Sequence, residues 1–181
     1  MSKFISTEIK DLYIIEPNVF DDSRGYFFES YNKAEFEKNG LYYNFVQDNQ
    51  SLSAYGTLRG LHFQKGKHAQ AKLVYVTQGS VLDVSVDLRI DSPTYGQHVT
   101  IELSESNKRR VLIPKGFAHG FVVLSETAAF HYKCDNWWKK DAEAGIRFDD
   151  PDLNIDWKID LSKVIMSEKD QILPYFKDIS P

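Results

Sequence analysis

Alternation of apolar and polar residues with period two runs through the middle of this chain and limits what it can fold into. Val74 and Val76 share one face of such a stretch. Beyond Gln78-Gly79-Ser80, the residues Leu82, Val84, Val86 and Leu88 share another, with Asp83, Ser85 and Asp87 opposite them. Successive side chains of a strand point to opposite faces, so the pattern predicts a hairpin of half-buried strands from Lys72 to Arg89. Val99, Ile101 and Leu103 extend the alternation, as do residues 111–113, 121–124 and 128–133, with Gly, Pro, Ser or Asn between them. Many short strands separated by turn residues predict an antiparallel sandwich or barrel. The fold expected is an all-β jelly roll with short peripheral helices. One helix is expected within residues 33–38, and a second begins at Ser167, its N-cap, and stops before Pro174. Residues 149–154 read as a loop.

With 181 residues, 42% of them hydrophobic and 14% aromatic, the chain is expected to form a single domain over residues 1–181 with a sizeable core. A formal charge of -4 argues against nucleic acid or a membrane surface as the main partner. A few local Arg or Lys residues would still suffice to bind an anionic small molecule. The single cysteine, Cys134, cannot form an internal disulfide. The first eight residues lack the apolar core of a signal peptide, and no apolar run approaches the roughly 18 residues of a membrane span. A soluble, cytoplasmic protein is expected.

Two segments concentrate the chemistry: Leu58-Arg59-Gly60-Leu61-His62-Phe63-Gln64 and Ile113-Pro114-Lys115-Gly116-Phe117-Ala118-His119-Gly120-Phe121. Each sets one histidine in a run that otherwise reads as strand and tight turn. Imidazole has an ordinary pKa of about 6.5 and moves protons near neutrality, so the two together point to a proton-transfer pocket. Two hydrogen-bonded core histidines are the alternative. Parity puts His62 with Gly60 and Gln64, with Arg59, Leu61 and Phe63 on the other face. It puts Tyr132 with Phe130 and Ala128, opposite His131. His131, His68 and His98 are expected to have no chemical role. A metal site in a jelly roll would want a second histidine two residues after the first, where Gln64 stands, and His119 alone does not hold a catalytic metal. A metal-free protein is therefore expected. No Gly-rich phosphate loop precedes a helix. Cys134, without an evident histidine partner, reads as a small buried residue.

The chain resembles the dTDP-4-dehydrorhamnose 3,5-epimerase family over nearly its whole length. The likeness runs through residues 20–31, Phe45-Val46-Gln47-Asp48-Asn49, residues 58–64, Ser92-Pro93-Thr94-Tyr95-Gly96, residues 113–121, Tyr132-Lys133 and Asp149-Asp150-Pro151. It implies a cupin-type jelly roll that acts as a homodimer on a nucleotide-sugar substrate, without metal or cofactor. The implied reaction inverts C3 and C5 of dTDP-4-dehydro-6-deoxy-D-glucose, giving dTDP-4-dehydro-L-rhamnose. By the same resemblance His62 is the base, Asp170 orients and polarises it, and Tyr132 is the acid on the opposite face. Lys72 and His119 lie near the keto oxygen, while Arg24, Glu29, Gln47, Asn49, Arg59, Glu143 and Lys169 hold the nucleotide and sugar. Such chemistry is coherent, because a proton leaves carbon beside a carbonyl only if the enolate is stabilised, and inversion needs a second group opposite the base.

Each role has a structural competitor. Asp170 lies three residues after Ser167, which is capping-box spacing. Lys72 could be a strand-edge lysine, Arg59 an ion-pair partner, and Tyr132 a core residue. Trp137 and Trp138 stand where the family commonly has two tyrosines, and could pack in the core or a dimer, or stack on the nucleotide base. Functional rivals are an epimerase acting at one carbon or on another 4-keto sugar nucleotide, a silent nucleotide-sugar binder, and a metal-dependent cupin oxygenase. The combination of His62, Tyr132 and Asp170 counts against the binder, and Gln64 against the oxygenase.

Overall fold

Two antiparallel sheets face each other in the computed structural model, which describes residues 2–179; Met1, Ser180 and Pro181 lie outside the described residues. The strands are β1 (Lys3–Ser6), β2 (Tyr13–Glu16), β3 (Phe20–Asp22), β4 (Gly25–Phe27), β5 (Gln47–Ala54), β6 (Leu58–Gln64) and β7 (Lys72–Gln78). They continue with β8 (Ser80–Asp87), β9 (His98–Ser104), β10 (Arg110–Ile113), β11 (Phe117–Val123), β12 (Thr127–Cys134) and β13 (Glu143–Gly145). One sheet has the order β1-β2-β10-β7-β12-β5, the other β13-β6-β11-β8-β9, and β3 pairs only with β4. This is the jelly roll that the alternation predicts. A core between the sheets takes Val74, Val76, Val99, Ile101, Val111 and Phe130.

Both expected helices are short, and the second has the cap expected for it. Helix α1 (Lys33–Lys38) starts at Asn32, whose side chain accepts from the Ala34 N–H at 2.9 Å, and it buries Phe36 against Tyr31 and Phe4. Helix α2 (Glu168–Gln171) starts at Ser167, whose hydroxyl accepts from the Asp170 N–H at 3.2 Å. Two family-like segments are held by buried carboxylates. Asp87 accepts from Ser92 and Thr94 hydroxyls and from Arg89, which together hold its carboxyl at about 2 although burial pushes it up. Asp150 accepts from the Asp152, Leu153 and Phe176 N–H groups, closing the predicted 149–154 loop.

The expected hairpin from Lys72 to Arg89 does not form. β7 and β8 lie in different sheets, and the Gln78-Gly79-Ser80 turn carries the chain across the sandwich. Gly79 has φ +73°, and a Cβ there would lie 2.0 Å from the Thr127 carbonyl oxygen, so only glycine fits the crossing. The polarity of β8 is also the reverse of a half-buried strand. Leu82, Val84, Val86 and Leu88 pack outward against Ile146, Leu153 and Trp157 of the C-terminal segment. Asp83 and Ser85 are buried too, opposite Phe121 and His119 of β11, and therefore face the space between the sheets. Both faces of this strand are covered, which alternation alone does not reveal.

Candidate active site

A cavity of about 880 Å³ opens between the sheets and draws its lining from both. From the six-stranded sheet come Gln47 and Asn49 of β5, Lys72 of β7, and Tyr132 and Cys134 of β12. Register explains their convergence: Cys134 lies opposite Lys72 and Gln47, and Tyr132 opposite Asn49. From the other sheet come Arg59, His62 and Gln64 of β6 and His119 of β11, with Glu143, Lys169 and Asp170 beside them.

Arg59 corrects the parity count. His119 pairs with His62 but Phe121 pairs with Arg59, so three steps along β6 match two along β11. One extra residue in β6 turns Arg59 to the side of His62, while Leu58, Leu61 and Phe63 all join the outer apolar cluster. Close approach of the backbones requires Gly60 there: it has φ +119°, and a Cβ would meet the Gly120 Cα at 2.6 Å.

His62 Nε2 lies 2.7 Å from Asp170 Oδ1. An ionised Asp170 accepts from Nε2–H, which leaves the basic lone pair on Nδ1. Burial pushes the Asp170 carboxyl up, but the hydrogen bond and charge of His62, with the Gly60 N–H, outweigh it and hold the group below its ordinary value. The cap and the dyad coexist, because the Asp170 backbone is capped by Ser167 while its carboxylate reaches β6. His119 is tied in the same way, with Nε2 2.7 Å from Asp83 Oδ2 and both groups buried. Asp83 was not among the expected site residues. Its only signal is its place on the polar face of β8, which reads as solvent-facing until the crossing at Gly79 is known.

The opposite wall is less constrained. Burial raises the Tyr132 hydroxyl above its ordinary pKa, so it stays protonated at neutral pH. Burial also lowers the Lys72 ammonium. Lys72 has no hydrogen bond or ion pair among the described residues and sits between β10 and β12, so it is no edge lysine. Arg59 makes no ion pair either; its guanidinium donates to the Ser53 hydroxyl at 3.3 Å. Cys134 is buried as expected but lines the cavity, and burial pushes its thiol up to about 11, far from a thiolate nucleophile.

Glu143 and Lys169 form an ion pair with each other at the cavity edge, and Glu143 also accepts from Trp138 Nε1 at 3.0 Å. Trp137 and Trp138 are 63% and 50% exposed, which rules out core packing, and Trp138 lines the cavity. The Trp138 N–H donates to Gln47 Oε1 at 3.2 Å, so the segment after β12 is tied to the wall. Arg24 and Glu29 are the expected residues that the fold does not bring to the cavity of their own chain. Arg24 is exposed at the β3–β4 turn and paired with Asp22 at 2.6 Å, and Glu29 lies beside Phe20, Phe27 and α1. Of the other histidines, His131 hydrogen-bonds the Thr77 hydroxyl and stacks on Tyr75, and neither it nor His68 or His98 lines the cavity. Among the described residues no group of three His, Cys, Asp or Glu could hold a metal ion.

Fold and site define the class: a cupin-type jelly roll of the isomerase kind, with titratable side chains on two facing walls of one cavity. Residues 6–178 match the family described as dTDP-4-dehydrorhamnose 3,5-epimerase. The enzyme of that name from Pseudomonas aeruginosa is 53% identical over 171 residues, covering 94% of this chain and 93% of its own. The crystal structure of the dTDP-4-dehydrorhamnose 3,5-epimerase from Elizabethkingia anophelis NUHP1 has a TM-score of 0.95 at 59% identity, covering 98% of this chain and 97% of its own. The dTDP-6-deoxy-D-glucose-3,5-epimerase of Legionella pneumophila Philadelphia 1, in complex with dTDP-4-keto-L-rhamnose, has a TM-score of 0.95 at 46% identity, covering 99% and 95%. This chain belongs to the dTDP-4-dehydrorhamnose 3,5-epimerase family.

Proposed function

We propose that this protein is an isomerase that epimerises dTDP-4-dehydro-6-deoxy-D-glucose at C3 and C5, giving dTDP-4-dehydro-L-rhamnose. The observation that carries the reading is a carboxylate-backed histidine on one sheet and a protonated tyrosine on the facing sheet, lining one cavity. His62 Nδ1 takes the proton from carbon beside the 4-keto group, and the C–H electron pair moves onto the keto oxygen. Lys72 and His119 stabilise that oxyanion in a partly desolvated site. Tyr132 then protonates the carbon from the other face; its phenolate recovers a proton from solvent, and the His62 imidazolium releases to solvent the one it took. Proton loss and return need no redox partner, and Lys72 and His119 take the place of a Lewis acid at the keto oxygen, so the reading calls for neither metal nor cofactor.

Arg59, Gln47, Asn49, Glu143 and Lys169 hold the nucleotide and sugar in this reading. Arg24 and Glu29 join them from a second copy of the chain. The β3–β4 hairpin stands apart from its own cavity and exposes Phe20, Tyr26 and Phe27, at 61%, 58% and 69%. Apolar surface of this kind supports a homodimer in which each hairpin covers the partner's cavity. A buried free thiol and the absence, among the described residues, of a helix able to cross a membrane are consistent with work in the cytoplasm.

Incubation with the 4-keto sugar nucleotide in heavy water, followed by NMR, tests the activity. Deuterium at both C3 and C5 with inverted configuration is expected. Deuterium at one carbon would make this a single epimerase, and none at either would make it a binder.

A further inference from the structure

Gln64 lines the cavity, is 7% exposed, and has no part in the proton transfer described above. It lies two residues beyond His62 on β6 and shares its face. The Gln64 amide oxygen accepts from the Lys139 N–H at 3.0 Å. That bond fixes the amide, because the flipped arrangement would set donor against donor. The amide nitrogen, with two N–H donors, is buried without a partner. Of the buried side-chain atoms left unsatisfied among the described residues, it is the one on the cavity wall.

The neighbouring carboxylate does not take up this donor. Glu143 lies opposite Gln64 across the β6–β13 pairing, but its carboxylate receives Lys169 and Trp138 Nε1. A buried donor without an acceptor destabilises the fold, and an apolar side chain of similar volume would avoid that cost. The amide nitrogen therefore calls for an acceptor that arrives from outside. We propose that Gln64 is a substrate-binding residue whose amide nitrogen donates to an oxygen of the bound nucleotide sugar, so that the site selects ligands with an acceptor at that point. This rests on the nucleotide-sugar reading of the cavity.

Two variants separate donation from anchoring of the Trp138 segment. Gln64→Glu keeps an oxygen for the Lys139 N–H and, at pH 8, replaces the donor by an ionised oxygen; Gln64→Met removes both groups. Calorimetric titration with dTDP and with dTDP-glucose reads binding, while tryptophan fluorescence and the melting temperature read the fold. Both variants should bind dTDP-glucose about tenfold or more weaker than wild type. An equal loss for dTDP puts the acceptor on the nucleotide, and a loss confined to dTDP-glucose puts it on the hexose. Unchanged affinity of Gln64→Glu for both ligands overturns the proposal and leaves the proposed function intact. Weakening in Gln64→Met alone, with a lower melting temperature, overturns it in favour of loop anchoring. A wild type that binds neither ligand overturns both readings.

Discussion

The two walls of the cavity are built in contrasting ways. On the five-stranded side each histidine is tied to a carboxylate at 2.7 Å, His62 to Asp170 and His119 to Asp83. On the six-stranded side the Tyr132 hydroxyl and the Lys72 ammonium have no hydrogen-bond partner among the described residues. A base has to be aimed before its substrate arrives, because a rotating imidazole offers its lone pair in many directions. A donor can wait, since its acceptor comes with the substrate. Orientation is thus stored in the wall that carries the histidines, while unsatisfied donors are the Tyr132 hydroxyl and Lys72 ammonium of the facing wall and the Gln64 amide beside His62.

The comparison can be broken most severely at His62. His62→Ala should lose both inversion and solvent exchange by about 10² to 10⁴-fold, measured by NMR in heavy water. Tyr132→Phe cuts the untied wall instead. Inversion should fall by roughly 10², while deuterium still enters with retained configuration, because the base and the enolate stabilisers remain. Near-normal inversion in that variant would return Tyr132 to a packing role. Asp170→Asn should cost less, roughly tenfold in turnover, because the imidazole keeps its place and loses its charged partner. Full activity with a lower melting temperature would show that Asp170 serves only its helix.

The smallest effect lies in acid stability. The depressed carboxyl of Asp170 stabilises the fold fully above the ordinary carboxylate range, and that contribution is lost as the pH falls through its lower folded value. Asp170→Asn should flatten this part of the acid denaturation curve, whereas Tyr132→Phe should leave it unchanged. Equal curves for wild type and Asp170→Asn would show that the tie between His62 and Asp170 does not stabilise the fold.

Local chemistry was legible in the chain, and long-range pairing was not. Ser167 marks its helix because capping acts over three residues. Tyr132 could be placed against His131 because β12 alternates without interruption between them. Arg59 could not be placed, since parity holds only along an unbroken strand and β6 has an extra residue. Asp83 was hidden for another reason: which face of β8 looks inward depends on the crossing at Gly79 and on a cover supplied some sixty to seventy residues later, by Ile146 and Leu153. Gln64 was visible only as a histidine that is missing; its unpartnered amide emerges from the Lys139 contact. Arg24 and Glu29 were expected in the site from the family likeness alone, and the fold of one chain leaves them outside its cavity.

Gly60 behaves as a phase slip in β6. Counting from His62, a regular strand would turn Arg59 outward among Leu61 and Trp157; the slipped one turns it in. Removing Gly60 altogether would keep Arg59 and His62 on one side, since they would then stand two residues apart. Keeping the position but giving it a side chain is the harsher change, because the new Cβ has the Gly120 backbone 2.6 Å away. A deletion is therefore expected to preserve dTDP binding better than Gly60→Ala does, the inverse of the usual ranking, and titration of the two variants with dTDP would read it directly.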